Sequence, residues 1–374
     1  MFLTYRNKLK EIIDRPYECP EFLNVKHIPS LDGWRAVAIM MVILGHLMLT
    51  LQKGTLLHSI LRLTVFGSLG VKIFFVLSGF LITTLLIKEK IKFSEVNIKN
   101  FFIRRSLRIV PVLYLYIVVI YLINLVLHLN LQIIHFLGPI FYVSNFLIPT
   151  NAWITGHTWS LAVEEQFYLM WPFLFNFLRS TLLTCLSIIL LIPLVKITQY
   201  YIPTSENYIL APFFIPASSI FTGALLSLLS FNSYFVKTLQ NKNLYTSFFF
   251  IFSIVLIYFI LHITSKGILG RITLPFGNIL TDFCIGYLIL FSIIRKKHLI
   301  FKILNQKIIV RIGVISYSLY IWQQLFIIPT GNYPILEKYI YLPLNLILTF
   351  AFGFSSYHFF EKPFLKLKRM FYSA

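Results

Sequence analysis

Trp34-Arg35-Ala36-Val37-Ala38-Ile39-Met40-Met41-Val42-Ile43-Leu44-Gly45-His46-Leu47-Met48 is the stretch on which the fold turns. It is apolar apart from a cation near its start and an imidazole near its end. With the residues that follow it makes a run over 34–52, long enough at about 1.5 Å per residue to cross a hydrocarbon core about 30 Å thick. Runs of the same kind recur at 63–87, 109–130, 161–178, 181–197, 211–230, 245–263, 274–293, 308–328 and 342–360. A backbone in hydrocarbon must satisfy its own hydrogen bonds, so runs of this length are helices. Over 374 residues, 58% are hydrophobic and 12% charged, a composition that cannot be arranged around one water-soluble surface. The expectation is an all-α integral membrane protein with about ten transmembrane helices.

The formal charge of +20 would suggest nucleic acid as the partner of a soluble protein. Here its distribution explains it instead. With the N-terminus inside, cytoplasmic segments collect Arg6, Lys8, Lys10, Arg15 and Lys26, then the span from Lys88 to Arg108, then Arg295 to Arg311, and finally Lys362, Lys366, Lys368 and Arg369. That is the positive-inside bias, and it places both termini in the cytoplasm, with anionic membrane lipid rather than nucleic acid as the partner of the excess charge. The first 30 residues carry charges and no signal-peptide core with a cleavage site, so the first run reads as a retained helix. Cys19, Cys185 and Cys284 are far apart and lack CxxC spacing, and the remaining histidines have no ligand-like spacing. Neither a disulfide framework nor a metal site is expected.

Ionisable groups are costly in a lipid-embedded helix, so each is a functional hypothesis. Arg35 and His46 are eleven residues apart; at about 100° per residue they share one helix face, roughly 16 Å apart along the axis. Separately, Arg35 could be an interfacial anchor and His46 could bond a neighbouring helix. Together, an anion-binding group at the inner surface and a base deeper on the same face match a long donor with a phosphorylated end and a reactive end, the shape of a coenzyme A thioester. Arg104, Arg105 and Arg108 crowd the cytoplasmic start of the third run, as a phosphate site or as topological anchors. At the outer start of the fourth run, His157-Thr158-Trp159-Ser160-Leu161-Ala162-Val163-Glu164-Glu165 puts two carboxylates beside an apolar stretch. Glu164, with Glu165 second, could orient His46 or receive the hydroxyls of a polar acceptor. Trp153, Trp159, Tyr168 and Trp171 suit an interfacial belt. Ser78-Gly79 marks close helix packing, with Ser78 also a candidate for a channel wall. Lys72 and Asp282 are intramembrane charges with no evident partner in the sequence.

These residues, in this order, resemble the integral membrane acyltransferase family 3. The resemblance takes in the Arg35-to-His46 spacing, Phe74-Phe75-Val76-Leu77-Ser78-Gly79-Phe80, the arginines up to Pro111, and Thr158-Trp159-Ser160-Leu161 with Glu164. It continues in Ser316-Tyr317-Ser318-Leu319-Tyr320-Ile321-Trp322 and Tyr357-His358-Phe359-Phe360-Glu361-Lys362-Pro363. Many members follow the Tyr-x-Trp motif with histidine, where this chain has Gln323. The resemblance implies a transmembrane acyltransferase domain over 31–364, between a cytoplasmic segment 1–30 and a tail 365–374. It also implies a cytoplasmic acyl-CoA donor, acetyl-CoA first, with no tightly bound cofactor, and an acceptor hydroxyl on an extracytoplasmic glycan such as lipopolysaccharide O-antigen, in a bacterial inner membrane. His46, Glu164 and Glu165 are the catalytic candidates, and Arg35, Arg104, Arg105, Arg108 and Ser78 the donor-binding ones. The alternative from another class is a transporter or flippase of a lipid-linked sugar.

Overall fold

The computed structural model describes residues 17–150, 152–178, 180–201, 211–240 and 244–371. Arg6, Lys8, Lys10 and Arg15, on which part of the charge argument rests, lie outside them. The main helices are α1 (Pro29–Met48), α2 (Gly67–Phe93), α3 (Ile98–Leu127), α4 (Thr158–Phe177), α5 (Thr181–Tyr201), α6 (Ala211–Ser230), α7 (Leu244–Ser265), α8 (Gly270–Ile294), α9 (Ser316–Phe326), α10 (Leu344–Ser355) and α11 (Lys362–Lys368). No strand occurs among the described residues.

Among those residues, seven helices are long and apolar enough to cross a membrane. The other three expected runs take a different form, each for a readable reason. Glu164, Glu165 and Gln166 stand in succession in α4 and lower its hydropathy. The run over 308–328 breaks at Ile315 into Lys307–Val314 and α9. The run over 342–360 divides into α10 and a π-helical turn, Ser356–Glu361. Taken alone, these pieces fall short of the roughly 20 residues a full crossing needs. The π turn brings Glu361 inside, 1% exposed, and such turns recur at functional sites.

The chain forms two compact units of interleaved segments. The first comprises Met1–Leu31, Lys72–Val96 and Phe167–Gln306. Its packing turns on small residues: Gly79 of α2, singled out in the sequence, lies flush against the Ile220 carbonyl of α6, and Gly223 of α6 against the Val76 carbonyl of α2. A Cβ at either position would drive the two backbones apart. The Trp171 indole N–H donates to Thr83 at 2.9 Å beneath the stacked Phe167 and Trp171 rings. The two charges that lacked partners in the sequence meet in this unit. Lys72 Nζ donates to Asn278 at 2.9 Å and stands 3.8 Å from Asp282, whose oxygens accept from Ser218 and Ser219 at 2.8 and 2.7 Å.

The second unit comprises Asp32–Val71, Asn97–Gln166 and Lys307–Ala374. Gly313 abuts the Asp32 backbone and Gly353 the Leu319 side chain, so the broken helices near the C-terminus pack tightly despite their length. Tyr317 OH donates to the Ile109 carbonyl at 2.6 Å, Tyr116 OH to that of Ile154 at 2.7 Å, and Ser318 to Glu361 at 2.7 Å. In both units the outward faces are apolar: Phe248, Ile251, Val255 and Phe259 along α7, and Val118, Leu122 and Leu125 along α3, are all exposed. Stripes of that kind require a bilayer as their solvent. The chain is a multi-pass membrane protein.

Candidate active site

The second unit holds a cavity of roughly 440 Å³ whose walls include His46, Trp153, His157, Trp159, Tyr320 and Gln324. His46 lies in the last turn of α1. Its Nδ1 lies 2.7 Å from Gln323 Oε1, and its ring meets Trp153 edge-to-face at 5.1 Å. With Nδ1 donating to the carboxamide oxygen, Nε2 keeps its lone pair for chemistry. Gly45 lets the wall form, because its Cα region is in close contact with Gly67. His157 lines the same cavity, 3% exposed, with Nδ1 and its own backbone N–H both directed at Gln324 Oε1, at 2.8 and 3.0 Å. The two imidazoles are thus oriented by two neighbouring carboxamides of α9. On a helix adjacent residues point about 100° apart, so one short segment can address two imidazoles.

Toward the other end of α1, Arg35 pairs with Asp32 at 2.7 Å and lies in the electrostatic field of Arg105 and Arg108. Lys368 of α11 feels all four arginines, Arg35, Arg104, Arg105 and Arg108. Arg104 is buried and donates to the Phe371 carbonyl at 2.9 Å, which ties the end of the chain to α3. The carboxylates set against these four arginines and Lys368 are Asp32, Glu361, which neighbours Arg35, Arg108 and Lys368, and Glu165, which neighbours Arg105. Burial, then the arginines, push the Lys368 ammonium down to about 6. A cluster with more cations than anions suits a polyanionic ligand.

The structure gathers Arg35, Arg104, Arg105 and Arg108 into one cluster around Lys368 and puts His46 on a cavity wall. The bond that fixes His46 is made by Gln323. Glu164 and Glu165 are not among the cavity walls, and Glu165 Oε1 is buried without a hydrogen-bond partner among the described residues. Ser78 belongs to the first unit. Sequence reasoning missed His157, Gln324, Tyr320 and Lys368 as site residues. One signal was available: two successive carboxamides, Gln323-Gln324, in an apolar run are as unusual as a charge.

A profile described as an acyltransferase domain matches residues 28–362. The chain belongs to that acyltransferase family. It is 30% identical over 371 residues to the peptidoglycan O-acetyltransferase OatA of Listeria monocytogenes, covering 91% of this chain and 56% of the relative. It is 28% identical over 367 residues to the O-acetyltransferase OatA of Staphylococcus aureus, covering 91% of this chain and 58% of the relative. The chain thus spans less than two thirds of the length of these relatives. No solved structure matches it.

Proposed function

We propose that this chain is a membrane O-acetyltransferase that takes the acetyl group of cytoplasmic acetyl-CoA and delivers it to a hydroxyl of an extracytoplasmic glycan, with both termini in the cytoplasm of a bacterial inner membrane. One observation carries the reading: α1 has a cation cluster at its beginning and, about three turns along the same face, an imidazole fixed by Gln323 with its second nitrogen left for a cavity. In this account Arg35, Arg105 and Arg108 hold the donor's phosphates, Arg104 braces the tail that completes the cluster, and the pantetheine arm covers the distance to His46. Fixing the thioester beside a pre-oriented nitrogen lowers the barrier by proximity before any bond changes. His46 then acts as base toward the hydroxyl or as carrier of the acetyl group. Glu164 and Glu165 bind acceptor hydroxyls or balance the arginines.

The name of the Listeria relative favours peptidoglycan as the glycan and the family resemblance favours a surface polysaccharide such as lipopolysaccharide O-antigen; both present secondary and primary sugar hydroxyls. The test is the full chain in nanodiscs, given radiolabelled acetyl-CoA and a tetramer of N-acetylglucosamine. Label on the sugar supports the assignment, and saturable acetyl-CoA binding without label movement to sugar or water refutes it. Mass spectrometry of cell-envelope glycans with and without the chain then identifies which glycan gains acetyl groups.

A further inference from the structure

We infer that His157 is a second catalytic imidazole of this cavity, taking the proton of the acceptor hydroxyl while His46 carries the acetyl group. This rests on the acetyltransferase reading above. The two histidines reach the same void from different elements and are anchored alike, each through Nδ1 to one of two adjacent glutamines. At His157 the tautomer follows from the geometry. A backbone N–H can only donate, so the Gln324 atom that receives it is an oxygen, and Nδ1, sharing that oxygen, must also carry a hydrogen. Nε2 is then a lone-pair acceptor.

That acceptor is buried and has no hydrogen-bond partner among the described residues. Leaving a buried polar atom unsatisfied costs on the order of 1–3 kcal/mol, and an apolar ring would avoid the cost if filling space were the purpose. The surroundings instead hold the imidazole in one plane. Tyr116 and Tyr320 meet it edge-on at 5.5 and 5.4 Å. Tyr320 OH donates to the His157 carbonyl at 2.9 Å and lies 2.6 Å from Ser160 Oγ. A lone-pair acceptor held in one orientation on a residue of the cavity wall is placed to take a proton from a hydroxyl bound there.

One base suffices for a direct transfer; two imidazoles on one cavity suit two steps. In the first, His46 Nε2 attacks the thioester carbonyl, an N–C bond forms, and the C–S bond breaks with its electron pair leaving on coenzyme A thiolate. In the second, the acceptor oxygen attacks the acetyl carbon while His157 Nε2 takes the hydroxyl proton. The O–C bond forms and the pair of the breaking C–N bond returns to His46. The proton on His157 passes to water and the thiolate takes one up, so the sum is acetyl-CoA plus alcohol giving ester plus coenzyme A.

Two readouts on the full chain in nanodiscs separate the roles. One is exchange of radiolabelled coenzyme A into acetyl-CoA with no glycan present, which reports the first step alone. The other is transfer of labelled acetyl to an N-acetylglucosamine tetramer and to water, counted together. His157→Asn keeps an N–H for Gln324 and removes Nε2. It is expected to exchange within about twofold of wild type and to transfer about 100-fold more slowly, whereas His46→Asn does neither. If His157→Asn fails to insert, Gln324→Met keeps the ring but frees it, and the same split is expected with a loss of about tenfold. Wild-type transfer without exchange, normal transfer by His157→Asn, or parallel loss of exchange and transfer in that variant overturns the inference. A wild-type protein that binds acetyl-CoA yet neither exchanges nor transfers overturns the acetyltransferase reading and the inference with it.

Discussion

Two polar clusters lie within the apolar helices of this protein, and they are finished differently. Around Asp282 everything is satisfied: both carboxylate oxygens accept from serines, and Lys72 has Asn278 and the carboxylate. Around the two histidines, Gln323 Nε2 and His157 Nε2 are buried without hydrogen-bond partners among the described residues, beside a cavity. A saturated cluster has no capacity left for a ligand. The unsaturated one does, even though Asp282 is more deeply buried than His157.

Substitution should separate the clusters into stability and activity. His46→Ala is expected to lower acetyl transfer by about 1,000-fold while leaving insertion, thermal stability and donor binding near wild type. Kinetics and acetyl-CoA binding on one nanodisc preparation decide it, and a collapsed protein would move His46 to the packing side of the comparison. Asp282→Leu should do the reverse. It strands Lys72 and costs roughly 3–5 kcal/mol of stability, seen as a lower melting temperature. The protein that remains folded retains its specific activity, and Lys72→Met added to it restores much of the stability.

Smaller effects sharpen the donor end. Arg105→Gln with Arg108→Gln should weaken coenzyme A binding by about 10- to 100-fold through lost charge-assisted bonds. Unchanged affinity by calorimetry would return those arginines to topology alone. Lys368 supplies a linkage test. With its ammonium pushed down to about 6, it is mostly neutral at pH 7.5 in the free protein. Bound phosphates favour its charged form, so binding takes up a proton. Calorimetry in two buffers of different ionisation enthalpy should show part of that uptake missing in Lys368→Gln. Because the folded value lies below the unfolded one, this residue opposes folding fully below pH 6, and the penalty fades as pH rises toward the unfolded value.

The membrane fold, the Arg35-to-His46 register and the arginine cluster were legible because each depends on spacing along one helix or on local charge. What escaped depends on pairing across the chain. Lys72 and Asp282 are partners separated by 210 positions, and no periodicity could join them. The bond to His46 comes from Gln323 rather than from Glu164 because the helix broken at Ile315 presents its carboxamides to the cavity, and that break is set by tertiary contacts such as Gly313 against the Asp32 backbone. His157 was visible as a letter just before α4 but not as half of a matched pair, since its anchor lies in another segment.

The central claim is that an acetyl group crosses the bilayer through this chain, and proteoliposomes test it most directly. Vesicles containing the full chain are loaded with a tetramer of N-acetylglucosamine, washed, and given radiolabelled acetyl-CoA outside. The account predicts label on the trapped sugar, dependent on His46, in sealed vesicles impermeable to either substrate. Label that appears only when donor and sugar share one side would contradict it.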